Sequence, residues 1–363
     1  MALPRLTSED SRYKSVAAVL LSIGALTLVF LGLFEWDVPL TRFVRSLYPP
    51  VGSLPNPWLV QFSDLGDRLG KGESLVILSL GLLAVGYGLK RPQWKDAGWQ
   101  SLIAHGLTAL SANILKHIIG RPRPKFMHAG NLEFSPVTGS GWDSFPSGHA
   151  AASLTVATVL AVKFPRASWP MLALAVAVAA SRVFRGSHYL TDVAGGAALG
   201  CIVGVIVTHP WREWLASTGM ALRRITPFFV ATLALVWTIV HLPSEAWPFQ
   251  QLFWIGLVLT LAGLVGHVVW TVRWACCPPW LSGSLARSVV WLGLGMTTGS
   301  LFITTTVLLV CAAQWLDDLP GPVESTAEEG HGGVWAAMAE GLFVAATLLV
   351  LGASYALKGI VPM

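Results

Sequence analysis

Apolar residues along the chain are grouped into long runs that short polar segments separate. Ten of these runs are long enough to form apolar helices, on the scale of the ~20 residues that cross a bilayer. The predicted helices lie near residues 15–35, 74–90, 98–120, 149–163, 168–184, 192–209, 226–243, 250–271, 288–314 and 333–357. No alternating strand pattern competes with them. The pattern therefore predicts an all-α, polytopic integral membrane protein.

The first apolar run follows Arg5, Arg12 and Lys14, as the apolar core of a signal peptide would. It is longer than such a core and ends in FEWD without a small-x-small cleavage site, so we predict an uncleaved first helix. The segment after it has one apolar face formed by Leu40, Phe43, Val44 and Leu47. That face suits a helix lying on the membrane surface, and it suits a helix covering the bundle equally well.

Composition supports a membrane protein and excludes several other classes. Of the 363 residues, 54% are hydrophobic and only 12% are charged, whereas soluble domains carry about 25% charged residues. Mean hydropathy is +0.62, and the 17 tryptophans suit membrane interfaces. The four cysteines show no paired spacing, so we expect neither a disulfide framework nor a structural metal. These figures exclude a soluble enzyme, a disordered chain and a secreted disulfide scaffold.

The net charge of +5 comes from basic residues in the short loops. We interpret them as topology signals and as partners of anionic headgroups, and we expect no nucleic-acid partner. With ten spans both termini lie on one side, and placing them in the cytoplasm puts most basic residues there. The basic residues on that side are Arg5, Arg12, Lys14, Lys90, Arg91, Lys95, Lys163, Arg166, Arg212, Arg223, Arg224, Arg273, Arg287 and Lys358.

A basic stretch containing tryptophan divides the chain. We predict a six-span unit at residues 1–210, a basic cytoplasmic linker at 211–225 and a four-span accessory region at 226–363. The accessory region resembles no family that we can name. It could form an additional bundle, a surface for homo-oligomers, or part of a path for lipid.

Two outer segments carry polar side chains unlike those of the other loops. The first contains KHIIGRPRP and SFPSGH, and the second contains SRVFRGSHYLTD. Together they place cations, serines, two histidines and a carboxylate on one side of the bundle. The residues concerned are Lys116, Arg121, Arg123, Ser147, Gly148, His149, Ser181, Arg182, Arg185, His188 and Asp192.

This set suits the binding of a phosphate ester. Lys116, Arg123 and Arg182 can neutralise the three equatorial oxygens of a phosphoryl group in transfer. Ser147 and Gly148 precede the fourth predicted helix, where a hydroxyl and free amide groups add donors for an anion. The alternative is that these cations gather near lipid headgroups and that the histidines cap helices. That alternative explains any single residue well, but it does not explain the whole set at these spacings.

The two histidines supply the reactive groups. His188 and Asp192 are four residues apart, so the carboxylate can hold the proton of one ring nitrogen and leave the other nitrogen as a nucleophile. His149 is then available to protonate the leaving oxygen and later to activate water.

The motifs Lys-x6-Arg-Pro, Pro-Ser-Gly-His and Ser-Arg-x5-His-x3-Asp resemble the signature of the type 2 phosphatidic acid phosphatase and haloperoxidase superfamily. The resemblance covers about residues 10–210 and implies a six-helix membrane core. It implies that His188 becomes a phosphohistidine, that Asp192 orients it, and that His149 is the acid and base. The phosphate-binding residues that it implies are Lys116, Arg123, Ser147, Gly148 and Arg182.

The resemblance implies a lipid phosphatase that needs no metal and no cofactor and that faces the periplasm from a bacterial inner membrane. The implied substrates include undecaprenyl diphosphate, phosphatidylglycerol phosphate, phosphatidic acid and lipid A phosphates. Phosphotransfer to an acceptor lipid stays open, as does anion or lipid transport, although the polar residues cluster at one end of the spans. A haloperoxidase is disfavoured because those enzymes are soluble.

Several polar residues stand apart from these motifs. Arg121 and Arg185 are extra cations, which could contact a second phosphate or lipid headgroups. His105 and His267 lie within predicted spans, where hydrogen bonding between helices is expected more often than function. Glu340, near the outer end of the last predicted span, suits a hydrated position.

Overall fold

A computed structural model of the chain describes residues 8–46, 57–126, 135–136, 141–240, 249–272, 283–318 and 347–348. Within these ranges the regular structure is helical, which confirms the predicted all-α class. The helices are α1 (Ser8–Ser46), α2 (Pro57–Leu69), α3 (Gly72–Gly88), α4 (Pro92–Ile119), α5 (Gly148–Lys163), α6 (Ser168–Phe184), α7 (Leu190–Thr208), α8 (Trp214–Val240), α9 (Phe249–Val272), α10 (Gly283–Thr297) and α11 (Leu301–Asp318).

The first helix is much longer than the apolar run that predicts it. α1 continues without a break through the amphipathic segment to Ser46. Val44 on that segment is buried, whereas Phe43 is exposed. The segment is therefore the C-terminal end of α1 and not a separate surface helix, at least as far as Ser46.

Helix α2 was not predicted from the sequence. Its 13 residues are too few to span a bilayer, and they include Asp64, Asp67 and Arg68. α2 and α3 form a pair bent by 55° at a short break. A Cβ atom on Gly66 of α2 would lie 2.0 Å from the Ser181 hydroxyl, so α2 packs closely against α6.

Among the described residues, four helical segments are long and apolar enough to cross a membrane, and the bent pair of α2 and α3 makes a possible fifth. The four are Val16–Ser46, Pro92–Phe126, Leu190–Thr208 and Gln251–Val269. α5, α6, α10 and α11 supply shorter apolar segments. These lengths support an integral membrane protein, while the predicted total of ten spans stays a prediction.

Close packing of α5 against α7 forms the centre of the described bundle. Gly196, Gly200 and Gly204 lie one turn apart on α7. A Cβ atom on any of them would fall within 2.4–2.7 Å of α5 or the residue before it. A stripe of small residues lets two helix backbones approach in this way. α4 joins the same centre through a 2.8 Å contact between the hydroxyls of Thr108 and Thr155 on α5.

The chain separates into two compact units. One is Phe30–Ala221, and the other comprises Met1–Val29 and Leu222–Met363. α8 begins at Trp214, inside the stretch predicted as a linker. The predicted division at residues 210 and 226 stays a prediction.

The single span predicted at 288–314 is wrong. Two helices, α10 and α11, occupy this region, and they pack against each other. The turn between them contains Gly299, whose φ of 66° suits glycine because it has no Cβ. The sequence does not show this turn, because the turn lies within an apolar run and the threonines on both sides of the turn are compatible with a helix. The predicted sides of the segments after Gly283 therefore no longer follow from the number of spans, and the sides of the earlier segments stay predictions. The span predicted at 333–357 and Glu340 lie outside the described residues, apart from residues 347–348.

Candidate active site

The predicted site residues converge on one end of the unit Phe30–Ala221. Lys116 lies in the last turn of α4, and His149 in the first turn of α5. Arg182 lies in the last turn of α6, and Asp192 in the first turn of α7. Helix ends that meet at one side of a bundle thus bring together residues that are far apart in the sequence.

The exit from α4 sets the direction of the first motif. Gly120 caps the helix in the left-handed conformation, with φ of 57°, and its N–H donates to the Lys116 carbonyl at 2.9 Å. A Cβ atom here would lie 2.0 Å from the Ser135 carbonyl oxygen. This tight turn directs Arg121 inward and keeps Arg123 near Lys116.

His188 is buried in the loop before α7, with its side chain held by a backbone carbonyl. Its Nδ1 lies 2.8 Å from the Ser144 carbonyl oxygen. A carbonyl can only accept, so Nδ1 carries the proton and Nε2 carries the lone pair. Burial lowers the pKa of His188; Asp192 opposes this, whereas the charges of Arg123 and Lys116 add to it. The ring is therefore neutral near pH 7, as a nucleophile must be.

Asp192 lies close to His188 but is not its nearest acceptor. The distance from Asp192 Oδ2 to His188 Nδ1 is 3.7 Å. The same oxygen accepts hydrogen bonds from the Ser144 hydroxyl and from the Tyr189 N–H, the latter at 2.8 Å. Ser144 thus contacts both residues, with its carbonyl on His188 and its hydroxyl on Asp192. Ser144 lies in the segment SFPSGH, but the sequence predicts no role for it.

Lys116 and Arg123 share one carboxylate. Arg123 donates from Nε and Nη2 to the two oxygens of Asp143, at 2.8 and 2.7 Å. Lys116 Nζ lies 3.8 Å from Asp143 Oδ2. Burial would raise the pKa of Asp143, but the hydrogen bonds from Arg123 and the two positive charges outweigh it and lower the pKa to about 2. Asp143 therefore stays ionised and fixes the plane of the guanidinium group.

A second carboxylate, Asp67 of α2, joins Arg182 to His149. Arg182 Nη1 donates to Asp67 Oδ1 at 2.7 Å. His149 Nε2 lies 3.4 Å from the same oxygen. Arg185 lies at the edge of this group, 3.4 Å from Asp67 and 3.3 Å from Asp64, and it is partly exposed. α2 thus contributes to the site although it carries none of the three motifs.

Ser147 and Gly148 lie where α5 begins, as predicted. Ser147 is the residue before the helix, and its side chain makes no capping hydrogen bond. Its hydroxyl is buried and has no hydrogen-bond partner within the described ranges. A Cβ atom on Gly148 would lie 3.8 Å from Lys116 Nζ. A hydroxyl without a partner, one residue before a glycine that lies close to Lys116, suits the binding of an anion.

The prediction that Arg121 contacts a second phosphate or lipid headgroups is wrong. Its side chain is 1% exposed and is bonded to Asp37 and Asp192, at 2.6 Å in each case. A guanidinium group enclosed between two carboxylates has no surface for a lipid. Neither the motif nor its spacing distinguishes this buried arginine from the partly exposed Arg123 two residues later.

Four residues that contact the site were assigned no role in the sequence analysis. Ser144 is the first residue of the segment SFPSGH and Asp143 directly precedes that segment, and this position was the only available signal. Asp37 and Asp67 lie in α1 and α2, far from any motif in the sequence. Only the fold brings these carboxylates to the cations, so sequence spacing gave no indication of them.

A cavity of about 300 Å³ continues from the site between α4 and α5. Lys116, Gly148 and His149 line one end of it. His105 and Thr108 of α4 line it further along the helix, and the rest of the wall is mainly glycine and alanine. Lys116 and His105 are eleven residues apart, which corresponds to roughly 16 Å along the helix. The cavity therefore suits an elongated molecule that has an anionic end.

The donor set does not favour a bound metal ion. Within the described ranges, no group of three or more histidine, cysteine, aspartate or glutamate side chains could hold one. The carboxylates of the site are paired with cations instead, as with Asp143 and Arg123. Hard cations such as Mg²⁺ require several oxygen ligands.

Comparisons with known proteins agree with this chemistry. Residues 97–215 match the model of the PAP2 superfamily. Lipid A 1-phosphatase of Rhizobium etli is 33% identical over 169 residues, which cover 42% of this chain and 71% of that protein. Phosphatidylglycerophosphatase B of Bacillus subtilis is 31% identical over 163 residues, which cover 42% of this chain and 74% of that protein.

One solved structure also matches. It is the crystal structure of the first transmembrane PAP2 type phosphatidylglycerolphosphate phosphatase from Bacillus subtilis, with 26% sequence identity. The match covers 53% of this chain and 94% of that one, with a TM-score of 0.40.

Proposed function

The chain belongs to the PAP2 superfamily, and from that premise we propose that it is an integral membrane lipid phosphatase. It hydrolyses the phosphomonoester or diphosphate of a membrane lipid through a phosphohistidine intermediate. The observation that carries this proposal is the hydrogen bond from His188 Nδ1 to the Ser144 carbonyl. That bond leaves the lone pair on Nε2, in a ring that lies close enough to Lys116 and Arg123 to experience their charges.

The first step forms the intermediate. The lone pair of His188 Nε2 attacks phosphorus, an N–P bond forms, and the P–O bond to the lipid breaks. Lys116, Arg123 and Arg182 neutralise the charge on the phosphoryl oxygens. The negative charge of the bound phosphate favours the protonated form of His149, which donates a proton to the leaving lipid oxygen. The imidazole ring, protonated at Nδ1 and bonded to phosphorus at Nε2, then carries a positive charge.

The second step returns the enzyme to its starting state. His149, now neutral, takes a proton from water, and the resulting hydroxide attacks phosphorus. The N–P bond breaks, its electron pair returns to Nε2, and inorganic phosphate leaves. His149 is again protonated for the next cycle. A different acceptor in place of water would make the same site a phosphotransferase.

The cavity beside the site supports a lipid as the substrate. Lys116 and His149 line the end of the cavity that would bind the anionic group of a lipid. The remainder of the cavity runs along α4 between apolar helices. The two relatives described above are named for phosphatases of lipids. We propose lipid A phosphates and phosphatidylglycerol phosphate as the first substrates to test, followed by undecaprenyl diphosphate and phosphatidic acid.

We further propose that the active site faces the periplasmic side of a bacterial inner membrane, with the N-terminus in the cytoplasm. The support is the distribution of basic loop residues before Gly283. Arg5 precedes α1, Arg12 and Lys14 lie in its first two turns, and the basic pair Lys90 and Arg91 lies between α3 and α4. The positive-inside rule places these segments in the cytoplasm and the opposite ends of the helices outside.

Phosphate release by the detergent-purified protein tests the proposed function. The substrates are the four lipid phosphates above, each assayed with and without excess EDTA. We expect release from at least one lipid, unchanged by EDTA and inhibited by vanadate, which resembles the five-coordinate transition state. The His188→Ala variant is the blank. Equal release by wild type and blank, or loss of activity in EDTA with recovery in Mg²⁺, would contradict the proposal.

A further inference from the structure

Three buried charged side chains form a continuous group next to His188. Arg121 Nη1 donates to Asp192 Oδ1, and Nη2 donates to Asp37 Oδ2, both at 2.6 Å. The side chains of Asp37 and Asp192 are fully buried. Arg121 therefore links α1 to α7 at the point where α7 carries Asp192.

The surroundings fix Arg121 in this position. The guanidinium carbon lies 4.9 Å from the centre of the Phe34 ring and 4.2 Å from that of Tyr189. Such contacts between a cation and aromatic rings are favourable, particularly where water is excluded. Nη1 also donates to the Thr191 hydroxyl at 2.6 Å. The planar group thus has a single orientation, which a lysine ammonium group could not reproduce.

Asp37 holds the first turn of α7 as well as the arginine. Its Oδ1 accepts the Thr191 N–H at 3.0 Å, and its Oδ2 accepts the Thr191 hydroxyl. A carboxylate at a helix N-terminus also interacts favourably with the helix dipole. Since Asp192 is the residue after Thr191, these bonds help to determine where the Asp192 carboxylate lies relative to His188.

The charges of the group have a consequence for the reaction. Arg121 alone would cancel the charge of Asp192, whereas two carboxylates and one guanidinium leave one net negative charge. His188 Nδ1 lies 3.7 Å from Asp192 Oδ2. When Nε2 bonds to phosphorus, the ring becomes positive, and a net negative charge nearby stabilises it.

We propose that Asp37 and Arg121 are positioning residues for phosphoryl transfer. They hold the Asp192 carboxylate beside His188 and maintain the net negative charge that the phosphorylated ring requires. This inference rests on the proposed function. The alternative is that these residues matter only for stability, because removing one partner of a buried ion pair leaves an unpaired charge and destabilises the fold.

A double-mutant cycle between Asp37 and Asp192 tests the proposal. Asp37→Asn removes the charge and preserves the shape. We expect kcat to fall by about tenfold or more, which is the scale seen for residues that orient a reactive side chain. KM should change by less than about twofold, because the group does not include the phosphate-binding cations. In an Asp192→Asn background, Asp37→Asn should change kcat by less than about twofold, because both residues act through one carboxylate.

Thr41→Val is the matched control. Thr41 is buried one turn from Asp37 on α1, and the substitution is also isosteric. We expect wild-type kinetics from it, with all variants judged on folded, monodisperse protein. If Asp37→Asn does not fold, Arg121→Lys replaces it in the same cycle. That variant keeps the charge but cannot hold both carboxylates in this geometry, so the same loss of kcat is expected.

The outcomes separate this proposal from the proposed function. A wild-type protein without lipid phosphatase activity would contradict the proposed function. Normal kcat in Asp37→Asn, with activity abolished in His188→Ala, would overturn only the positioning role. Additive losses of kcat in the Asp37 and Asp192 cycle would overturn it too, because independent effects mean that Asp37 does not act through Asp192.

Discussion

The cations of the site are each held by a carboxylate that is distant in the sequence. Arg123 and Asp143 are 20 residues apart, and Arg182 and Asp67 are 115 residues apart. The sequence predicts the cations because phosphate chemistry requires them in fixed motifs. It does not predict the carboxylates, since their role is to orient the cations and any nearby helix can supply them.

The hydrogen-bond acceptor of His188 is likewise not predicted by the sequence. A spacing of four residues predicts a bond to Asp192, but the nearest acceptor is the Ser144 carbonyl, 44 residues away. The predicted consequence, a lone pair on the other ring nitrogen, is unchanged. A backbone acceptor cannot be predicted from residue type, because every residue carries a carbonyl group.

The lowered pKa of His188 gives a prediction for the pH dependence of activity. Protonation of Nε2 removes the lone pair, so kcat/KM falls on the acid side. Because burial lowers the pKa below the ordinary 6.5, this fall should be centred below pH 6.5. The measurement is kcat/KM between pH 4 and pH 9, with enzyme pre-incubated at each pH and assayed at pH 7 to exclude inactivation. A midpoint above pH 6.5 would contradict a buried neutral nucleophile.

At the scale of helices, the contact between α5 and α7 determines the distance between His149 and His188. The N–H of Ser147 donates to the Asp192 carbonyl at 2.9 Å, so the starts of the two helices are joined directly. The glycines of α7 extend this contact along both helices. The sequence contains this stripe, but apolar periodicity alone does not show which helix it faces.

Gly200→Leu is therefore expected to disturb both stability and activity. A Cβ atom at this position would lie 2.4 Å from the Ala151 carbonyl, and overpacking of this kind costs about 1–3 kcal/mol. Thermal unfolding in detergent should show a lower midpoint, and phosphate release should fall. Gly81→Leu on α3 is the control, because a Cβ atom there meets no protein atom within 4 Å. Equal effects of the two substitutions would count against close packing as the cause.

The cavity between α4 and α5 gives a second prediction at this scale. Ala112 lines it and is buried, so Ala112→Phe should narrow the path for a lipid. We expect KM for a long-chain lipid phosphate to rise several-fold more than KM for a short-chain soluble analogue. Ala84→Phe on α3 adds the same bulk at an exposed position that does not line the cavity. The same change in both KM values would indicate that the cavity is not the lipid path.

The elements missed by the sequence share a physical cause. α2 is short and charged, so it lacks the long apolar run that marks a span, yet it carries Asp67 into the site. α10 and α11 are apolar on both sides of the turn that joins them, so the sequence shows one long apolar run and predicts a single helix. Apolar run length predicts where a membrane helix can form, but it cannot detect a turn enclosed by apolar residues.

At the scale of the whole molecule, the chemistry lies in one of the two compact units. The described phosphate-site residues all fall within Phe30–Ala221. The all-α class, the membrane character and the superfamily were all predicted correctly, because each depends on apolar runs or on compact motifs. For residues 226–363, the three roles predicted from the sequence stay predictions: an accessory bundle, an oligomer surface or a lipid path.

Trapping of the phosphoenzyme tests the central claim most directly. A phosphate-labelled lipid with a good leaving group is mixed with the His149→Ala variant, in which attack by water is slowed. Our account predicts label on His188 that is labile in acid and stable in base, and no label in the His149→Ala/His188→Ala double variant. Label that survives acid, or label that persists after His188 is replaced, would contradict His188 as the nucleophile.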